Sequence, residues 1–335
     1  SLLMSGLGLA LRPRPVFSRD VCFVVSRSIS SEFALACQTR TQDADAILHR
    51  GGRHLFLAPW REHTLVGVWH GMYEGSPDGV NVTRKELQAF LDETNEAYPG
   101  ISLSLADVTM VNTGLILFSE NKPDAAGIRF GKRSILIDHG KNDGIEGVVT
   151  LIGVRATTAR GMAEKAVDLA FRKMGVRPPK SKTATIPIYG GEIDDFENIL
   201  RRITEQRPYG LVPQVIHSLA HNYGSEYGGV LRQIDRDPGL AQRVPGSSVL
   251  KAEIIHAIRE EMAQTLGDVV FRRTDLATAG HPGEQALATC ADLMARESGW
   301  DDERVRKELA EVKKEFPDYG SEADPEKIQV LSPAL

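Results

Sequence analysis

The sequence has 335 residues, 41% of them hydrophobic and 25% charged, with a formal net charge of −5. Such values belong to a folded chain long enough for two hydrophobic cores, and they exclude wholesale disorder. The 40 lysines and arginines are scattered rather than gathered into a patch, which argues against a nucleic-acid partner.

The opening Ser1-Leu-Leu-Met-Ser-Gly-Leu-Gly-Leu-Ala-Leu11 is apolar but far shorter than the ~18 residues of a membrane span. Its positive charges, Arg12, Arg14 and Arg19, follow the run, the reverse of a secretory signal; an arginine-rich transit peptide is the other reading of this stretch. Arg53-His-Leu-Phe-Leu-Ala58 and Thr64-Leu-Val-Gly-Val-Trp69 read as two strands around a tight Pro59-Trp-Arg-Glu-His63 connection. Thr83-Arg-Lys-Glu86 is a capping box opening a helix whose apolar face is Leu87, Phe90 and Leu91. Residues 108–118 and 134–138 are further strand candidates. Gly147-Val-Val-Thr-Leu-Ile-Gly-Val154 is a nearly continuous apolar run, the pattern of a strand buried on both faces. It feeds a helix carrying Met162, Ala163, Ala166, Val167, Ala170 and Phe171.

A seam follows at Gly175-Val-Arg-Pro-Pro-Lys-Ser-Lys182, with the proline pair and basic character of a linker. Beyond it the pattern is helical. Asp194 and Asp195 open one helix, and residues 212–222 form another that stops before Gly224. Leu250, Ile254, Ile258, Met262 and Leu266 recur every fourth position, predicting one long helix with that face in the core. Two more helices are expected at 285–296 and 301–315, and the polar tail from Pro317 is expected to fray.

The strongest local signal is the strand, short turn and helix spanning 147–174. Such a turn leaves unpaired amide hydrogens and a positive dipole end, a ready site for an anion or an electron-rich ring edge. Arg155, Thr157, Thr158 and Arg160 sit in it; ordinary helix capping with two solvated arginines is the competing reading. Gly6-Leu-Gly8 lacks the third glycine of a dinucleotide fingerprint, since Leu11 stands there. His217-Ser-Leu-Ala-His221 lacks the glutamate that a zinc protease carries after its first histidine, so no metal site is expected. His54, His63 and His70 cluster around the predicted hairpin. The three cysteines, Cys22, Cys37 and Cys290, are widely spaced and suit a reducing compartment.

Several segments, in this order, resemble the FAD-dependent glycerol-3-phosphate dehydrogenases and alpha-glycerophosphate oxidases. Gly52-Arg-His-Leu-Phe-Leu-Ala-Pro-Trp-Arg61 with Thr64-Leu-Val-Gly67 looks like that family's substrate-domain hairpin. Thr150-Leu-Ile-Gly-Val-Arg-Ala-Thr-Thr-Ala-Arg160 with Ala163-Glu-Lys-Ala166 resembles its last flavin-contacting turn and helix. Tyr223-Gly-Ser-Glu-Tyr227, Leu250-Lys-Ala-Glu253, Arg259-Glu-Glu-Met262 and Arg272-Arg-Thr274 resemble its helical C-terminal domain. The family's N-terminal pyrophosphate-binding fingerprint has no counterpart in this sequence. Departures occur as well. Ile116 stands where the family's phosphate-clamping arginine aligns, Gly67-Val-Trp-His70 replaces Gly-Thr-Thr-Asp, Cys22 falls near the family's early histidine, and Arg155 replaces a lysine.

The resemblance implies an α+β fold. Residues 1–178 would be the distal part of a two-domain FAD-dependent oxidoreductase, and 179–335 an all-α C-terminal domain. It implies FAD as cofactor, bound by Gly153, Arg155, Thr157, Thr158 and Arg160. His70 would be the general base, and Arg155 would stabilise negative charge at the flavin N1 and O2. The implied reaction oxidises sn-glycerol 3-phosphate to dihydroxyacetone phosphate and passes electrons to a quinone. The expected location is cytoplasmic, peripheral on the inner membrane face, with a homodimer as the expected assembly. Ile116 motivates a first alternative, a related oxidoreductase acting on an unphosphorylated hydroxy acid or amine. A degenerate, non-catalytic binding module is the second.

Overall fold

The computed structural model describes residue 6 and residues 16–30, 32–42, 52–73, 75–76, 79–118, 134–153 and 155–316. Most of the opening apolar run and the polar tail therefore lie outside the described residues.

Five antiparallel strands form the first sheet: β1 (Val16–Val25), β2 (Leu35–Gln42), β3 (Gly52–Trp60), β4 (His63–Tyr73) and β5 (Val108–Phe118), in the order β2-β3-β4-β1-β5. Pattern reading located β3 to β5 but not β1 or β2. Yet β1 alternates: Val21 and Phe23 go to the core, while Ser18, Asp20 and Cys22 take the other face. The hairpin turn is tighter than expected. Strands continue through Pro59 and Trp60 to pair Trp60 with His63, leaving only Arg61 and Glu62 as the turn, with Arg61 at φ 56.

Helix α1 (Arg84–Ala97) covers one face of this sheet. The capping box forms: Thr83 Oγ1 accepts the Glu86 amide hydrogen at 3.2 Å, and Glu86 Oε2 accepts from the Thr83 amide at 2.9 Å. Leu87, Phe90 and Leu91 are fully buried, each burial contributing roughly 1.5–3 kcal/mol. Phe90 meets Phe23 edge-on at 4.7 Å and stacks on Trp69 at 5.8 Å. Arg19 pairs with Glu86, and Glu93 Oε2 accepts from Trp69 Nε1 at 3.1 Å and from Arg53 at 3.4 Å. The charges of the covered face are thus spent against α1.

A second unit is smaller. β6 (Ile135–Asp138) pairs antiparallel with β7 (Val149–Ile152), joined through the short α2 (His139–Asp143), and α3 (Ala159–Lys173) follows. His139 is buried, with Nδ1 2.5 Å from Asp143 and Nε2 2.8 Å from Thr150 Oγ1. Lys173 Nζ donates to Asp138 at 2.6 Å and to Glu146 at 2.8 Å, tying the end of α3 to the hairpin. The expectation of a strand buried on both faces is overturned. β7 is four residues long with Leu151 40% exposed, no residue of α3 is buried, and Val167 is 54% exposed. Within this chain, a two-stranded sheet and one helix offer too little surface to enclose the run.

No helix or strand forms across 176–194. The chain then makes α4 (Phe196–Gln206), α5 (Pro213–Tyr223), α6 (Tyr227–Arg236), α7 (Lys251–Glu260), α8 (Glu284–Ser298) and α9 (Asp302–Lys314). Asp195 caps α4 by accepting from Asn198 at 3.0 Å. Gly224, at φ 55, lies so close to Gly190 that a Cβ would meet its carbonyl oxygen at 2.0 Å; no other residue fits. The helical core joins Ile216, Leu219, Val230, Leu250, Ile254, Leu287, Cys290 and Met294.

The long helix predicted over Leu250 to Leu266 is also corrected. α7 stops at Glu260, and Met262 takes φ 61 and is 78% exposed, while the Ala263 amide closes on the Ala257 carbonyl at 2.9 Å. Asp268 then accepts from the Gln264 and Thr265 amides, restarting the chain in a new direction, so Leu266 returns to the core by another route. A four-residue period does not register a left-handed cap.

Candidate functional site

The strand face opposite α1 carries the first cluster. In β1 and β4, Asp20 stands directly opposite His70, and in β5 its partner is Gly114. Ser18 Oγ donates to Asp20 Oδ1 at 2.7 Å, and the Thr113 hydroxyl donates to the Asp20 carbonyl at 3.0 Å. Gly114 has nothing within 4 Å of where a Cβ would stand, so open space lies beside Asp20. Burial pushes the Asp20 carboxyl above the usual carboxylate range, while the Ser18 hydrogen bond and His70 pull it down. Cys22, next on the same face, is pushed up to about 11 by burial and by the Asp20 charge.

Ile116 is half-buried in β5, opposite Ser18. Arg19, which pairs with Leu115, turns to the other face and is engaged with Glu86 and the Asn81 carbonyl. Among Ser18, Asp20, Cys22, Val24, Val68, His70, Met110, Asn112, Gly114 and Ile116 there is no arginine or lysine to receive a phosphate. His54 lies in β3, the strand between β2 and β4, with Gln38 of β2 as its partner. His63 opens β4 at the hairpin turn, with Nδ1 buried and unbonded.

The second cluster is the turn after β7. Gly153, Arg155, Thr157, Thr158 and Arg160 are all exposed. No side chain caps α3, and a Cβ at Gly153 would meet nothing within 4 Å. The Thr158 hydroxyl donates to the Arg155 carbonyl at 3.1 Å, closing the turn. Arg155 and the Thr157 hydroxyl have no ion pair or hydrogen bond among the described residues, so both are free to meet a ligand. Arg160 is not: it donates to Glu164 at 2.7 Å and to Thr183 at 3.1 Å, tying α3 to the seam. An uncapped helix start, one free guanidinium, a hydroxyl and a side-chain-free glycine suit a flat, electron-rich ring edge.

The tip of the β3–β4 hairpin docks on the helices. Trp60 Nε1 donates to the Thr278 carbonyl at 3.0 Å, and Arg61 reaches Asn222 at 2.7 Å and Asp275 at 2.9 Å. His217 and His221 stand 3.2 Å apart through their Nε2 atoms, and His221 packs edge-on against Phe196. No group of three metal-ligating side chains occurs among the described residues. None of their helices is long and apolar enough to cross a membrane.

Reading the sequence brought out His70 and Arg155 but missed Asp20. Its signal was available, in the polar residues at alternate positions of Ser18-Arg-Asp-Val-Cys22, but Arg19 between them obscures the alternation.

Residues 181–305 match the family described as the C-terminal domain of alpha-glycerophosphate oxidase. The chain is 30% identical to a glycerol-3-phosphate dehydrogenase of Synechocystis over 77% of its own length and 46% of that protein's. It is 28% identical to a probable mitochondrial glycerol-3-phosphate dehydrogenase of Dictyostelium discoideum, over 78% of this chain and 41% of that one. The chain thus spans less than half the length of these curated relatives. A solved glycerol-3-phosphate dehydrogenase from Bacillus halodurans, complexed with FAD, shares the fold at a TM-score of 0.70 and 21% identity, over 89% of this chain and 56% of that one. Residues 181–305 thus belong to the alpha-glycerophosphate oxidase C-terminal domain family, and most of the chain is similar to glycerol-3-phosphate dehydrogenases over less than half of their length.

Proposed function

We propose that this chain is the distal portion of an FAD-dependent dehydrogenase that oxidises sn-glycerol 3-phosphate to dihydroxyacetone phosphate and delivers electrons to a quinone. The observation that carries the reading is the exposed, uncapped turn at 153–160, in a chain whose relatives are dehydrogenases and whose solved neighbour was complexed with FAD. Residues 1–178 form the oxidoreductase part and 179–335 the helical domain. FAD, when bound, supplies the hydride acceptor. Gly153 lets the backbone approach it, Thr157 offers a hydroxyl, and Thr158 holds the turn closed. Arg155 places a cation where negative charge gathers, and Arg160 keeps the helix in place against the seam. His70 accepts the proton of the substrate hydroxyl. The protein works in the cytoplasm as a homodimer lying on the inner membrane face.

The reading is tested in the full-length protein by anaerobic addition of sn-glycerol 3-phosphate. Bleaching of the flavin absorbance is expected, and retention of the oxidised spectrum overturns it. Ile116 favours a second reading, a substrate without phosphate, since the described residues of the β1–β4–β5 face provide no replacement cation. Bleaching by an unphosphorylated hydroxy acid or amine, with none by the phosphate ester, would select it.

A further inference from the structure

We propose that His217 and His221 form a chelate on the surface of α5 that takes one divalent ion of the copper or zinc class through their two Nε2 atoms, with water filling its other positions. The site lies outside both clusters described above and rests on neither of their readings.

Residues four apart on a helix stand one above the other on the same face. Here both histidines are exposed, their ring centroids are 4.2 Å apart, and their Nε2 atoms approach to 3.2 Å. A zinc-class ion holds an imidazole nitrogen at about 2.0–2.1 Å, so two such bonds span about 2.9 Å at a right angle and about 3.3 Å at the tetrahedral angle. The observed separation falls between those limits, so the ion enters with little movement of either ring. Without metal, one Nε2 has to carry a hydrogen for the other to accept. A metal ion replaces that hydrogen and engages both lone pairs, each ring then keeping its hydrogen on Nδ1.

The surroundings orient the His221 ring and keep it uncharged. Phe196, at the start of α4, meets it edge-on at 4.6 Å. Partial burial, then His217 and Arg61, hold the His221 imidazole below the usual histidine range, while Glu197 of α4 acts the other way. The neutral ring that a metal requires therefore predominates at neutral pH. Arg61 repels a cation, but its guanidinium is engaged with Asp275 at 2.9 Å and with Asn222 at 2.7 Å, and Glu197 offers a compensating negative charge. Two imidazoles suit copper and zinc and leave magnesium and calcium, which prefer oxygen ligands, in solution. Among the described residues no third metal-ligating side chain joins the pair, and Ser218 stands where a zinc protease carries its glutamate, so the ion is held and not used for hydrolysis. Asn222, the next residue, accepts from Arg61, so a bound ion fixes the turn of α5 on which the tip of the β3–β4 hairpin sits.

Calorimetric titration of the 335-residue chain with zinc chloride at neutral pH reads the site, with magnesium chloride as the control. One zinc per chain and no magnesium are expected. His217→Ala and His221→Ala should each weaken zinc binding at least as much as the roughly 10- to 100-fold that loss of a supporting hydrogen bond costs at a metal site. Zinc should raise the melting temperature of the parent and leave that of either variant unmoved, because only the parent's folded state holds the ligand. Acidification through the histidine range should release the ion, since protons compete for the same nitrogens. Paramagnetic resonance of the unmodified chain with one equivalent of copper(II) should show two imidazole nitrogens on the metal, which decides the matter should neither variant fold. Zinc affinity unchanged in both variants, binding only at millimolar zinc, or a copper spectrum with fewer than two imidazole nitrogens overturns the chelate.

Discussion

Single side chains decide what the two candidate sites can do, and Arg155 is the clearest case. It stands at the entry to α3 with no ion pair among the described residues, so its charge is unspent. A fixed cation beside the pyrimidine end of a flavin stabilises the reduced form more than the oxidised one. In the full-length protein, Arg155→Met is expected to lower the flavin midpoint potential, about 30 mV for each ~1.4 kcal/mol of lost stabilisation in a two-electron couple. Arg155→Lys should retain most of the potential, and a spectroelectrochemical titration reads both. Ile116 gives the complementary prediction on the sheet face. A charge-assisted contact to phosphate is worth ~1.5–3 kcal/mol, so Ile116→Arg should raise preference for glycerol 3-phosphate over glycerol by roughly 10- to 150-fold. The ratio of kcat/KM for the two substrates measures it; an unchanged ratio would mean that another cation already holds the phosphate.

Elements were legible where local chemistry determines them. The Thr83–Glu86 capping box, the Asp195 cap and the β3–β4 hairpin all follow from side chains within a few positions of each other. Thr83→Ala should therefore cost ~0.5–2 kcal/mol, seen as a lower urea midpoint. Periodicity failed at Met262 because a helix end is made by backbone geometry and by Asp268 reaching back, not by the apolar repeat. It also concealed α7's most consequential residue. Glu253 lies fully buried on that helix; Oε1 accepts the Leu250 amide hydrogen at 2.7 Å, while its other oxygen and the neighbouring Tyr223 hydroxyl lack a bond of good geometry. Burial pushes this carboxyl up to about 7 from an ordinary 4.5. A folded-state value above the unfolded one means that the native protein binds the extra proton. This contribution to stability is fully present below about pH 4.5 and is lost as pH rises through about 7, on the order of 3 kcal/mol in all. Glu253→Gln keeps the acceptor for Leu250 but cannot ionise, so the helical domain should lose much less stability between about pH 5 and about pH 8 than the parent. Urea unfolding at the two pH values reads the difference, and equal slopes for the two proteins would show that Glu253 does not titrate as its burial requires.

At the scale of the whole molecule, the two clusters belong to different parts of the fold. Asp20 and His70 lie on the five-stranded sheet and the Arg155 turn on the two-stranded unit. The helix face that covers the sheet and the helical core were readable because each is completed within the chain, by Leu87, Phe90 and Leu91 in one case and by Leu250, Ile254 and Leu287 in the other. The run 147–154 was misread for the opposite reason. Its apolar residues specify burial, but the described elements that would bury them amount to one strand and one helix. Leu151, Val167, Met174 and Val176 remain exposed around them. Apolar surface of this extent marks a contact face. The same argument bears on the cofactor. The turn at 153–160 offers a cation, a hydroxyl and free amides to one edge of a flavin, yet the sequence has no strand followed by G-x-G-x-x-G to hold the pyrophosphate. Edge contacts to an exposed ring are too few to offset the cost of immobilising so large a ligand. The 335-residue chain alone is therefore expected to purify colourless, and added FAD should not raise its melting temperature, because stabilisation requires a site in the folded state. In protein extended by the region that its longer relatives possess, the same titration should yield stoichiometric flavin, which Val167→Asp on the exposed face of α3 should reduce. Bright yellow, stoichiometrically loaded 335-residue chain would show that the described turn binds the cofactor unaided.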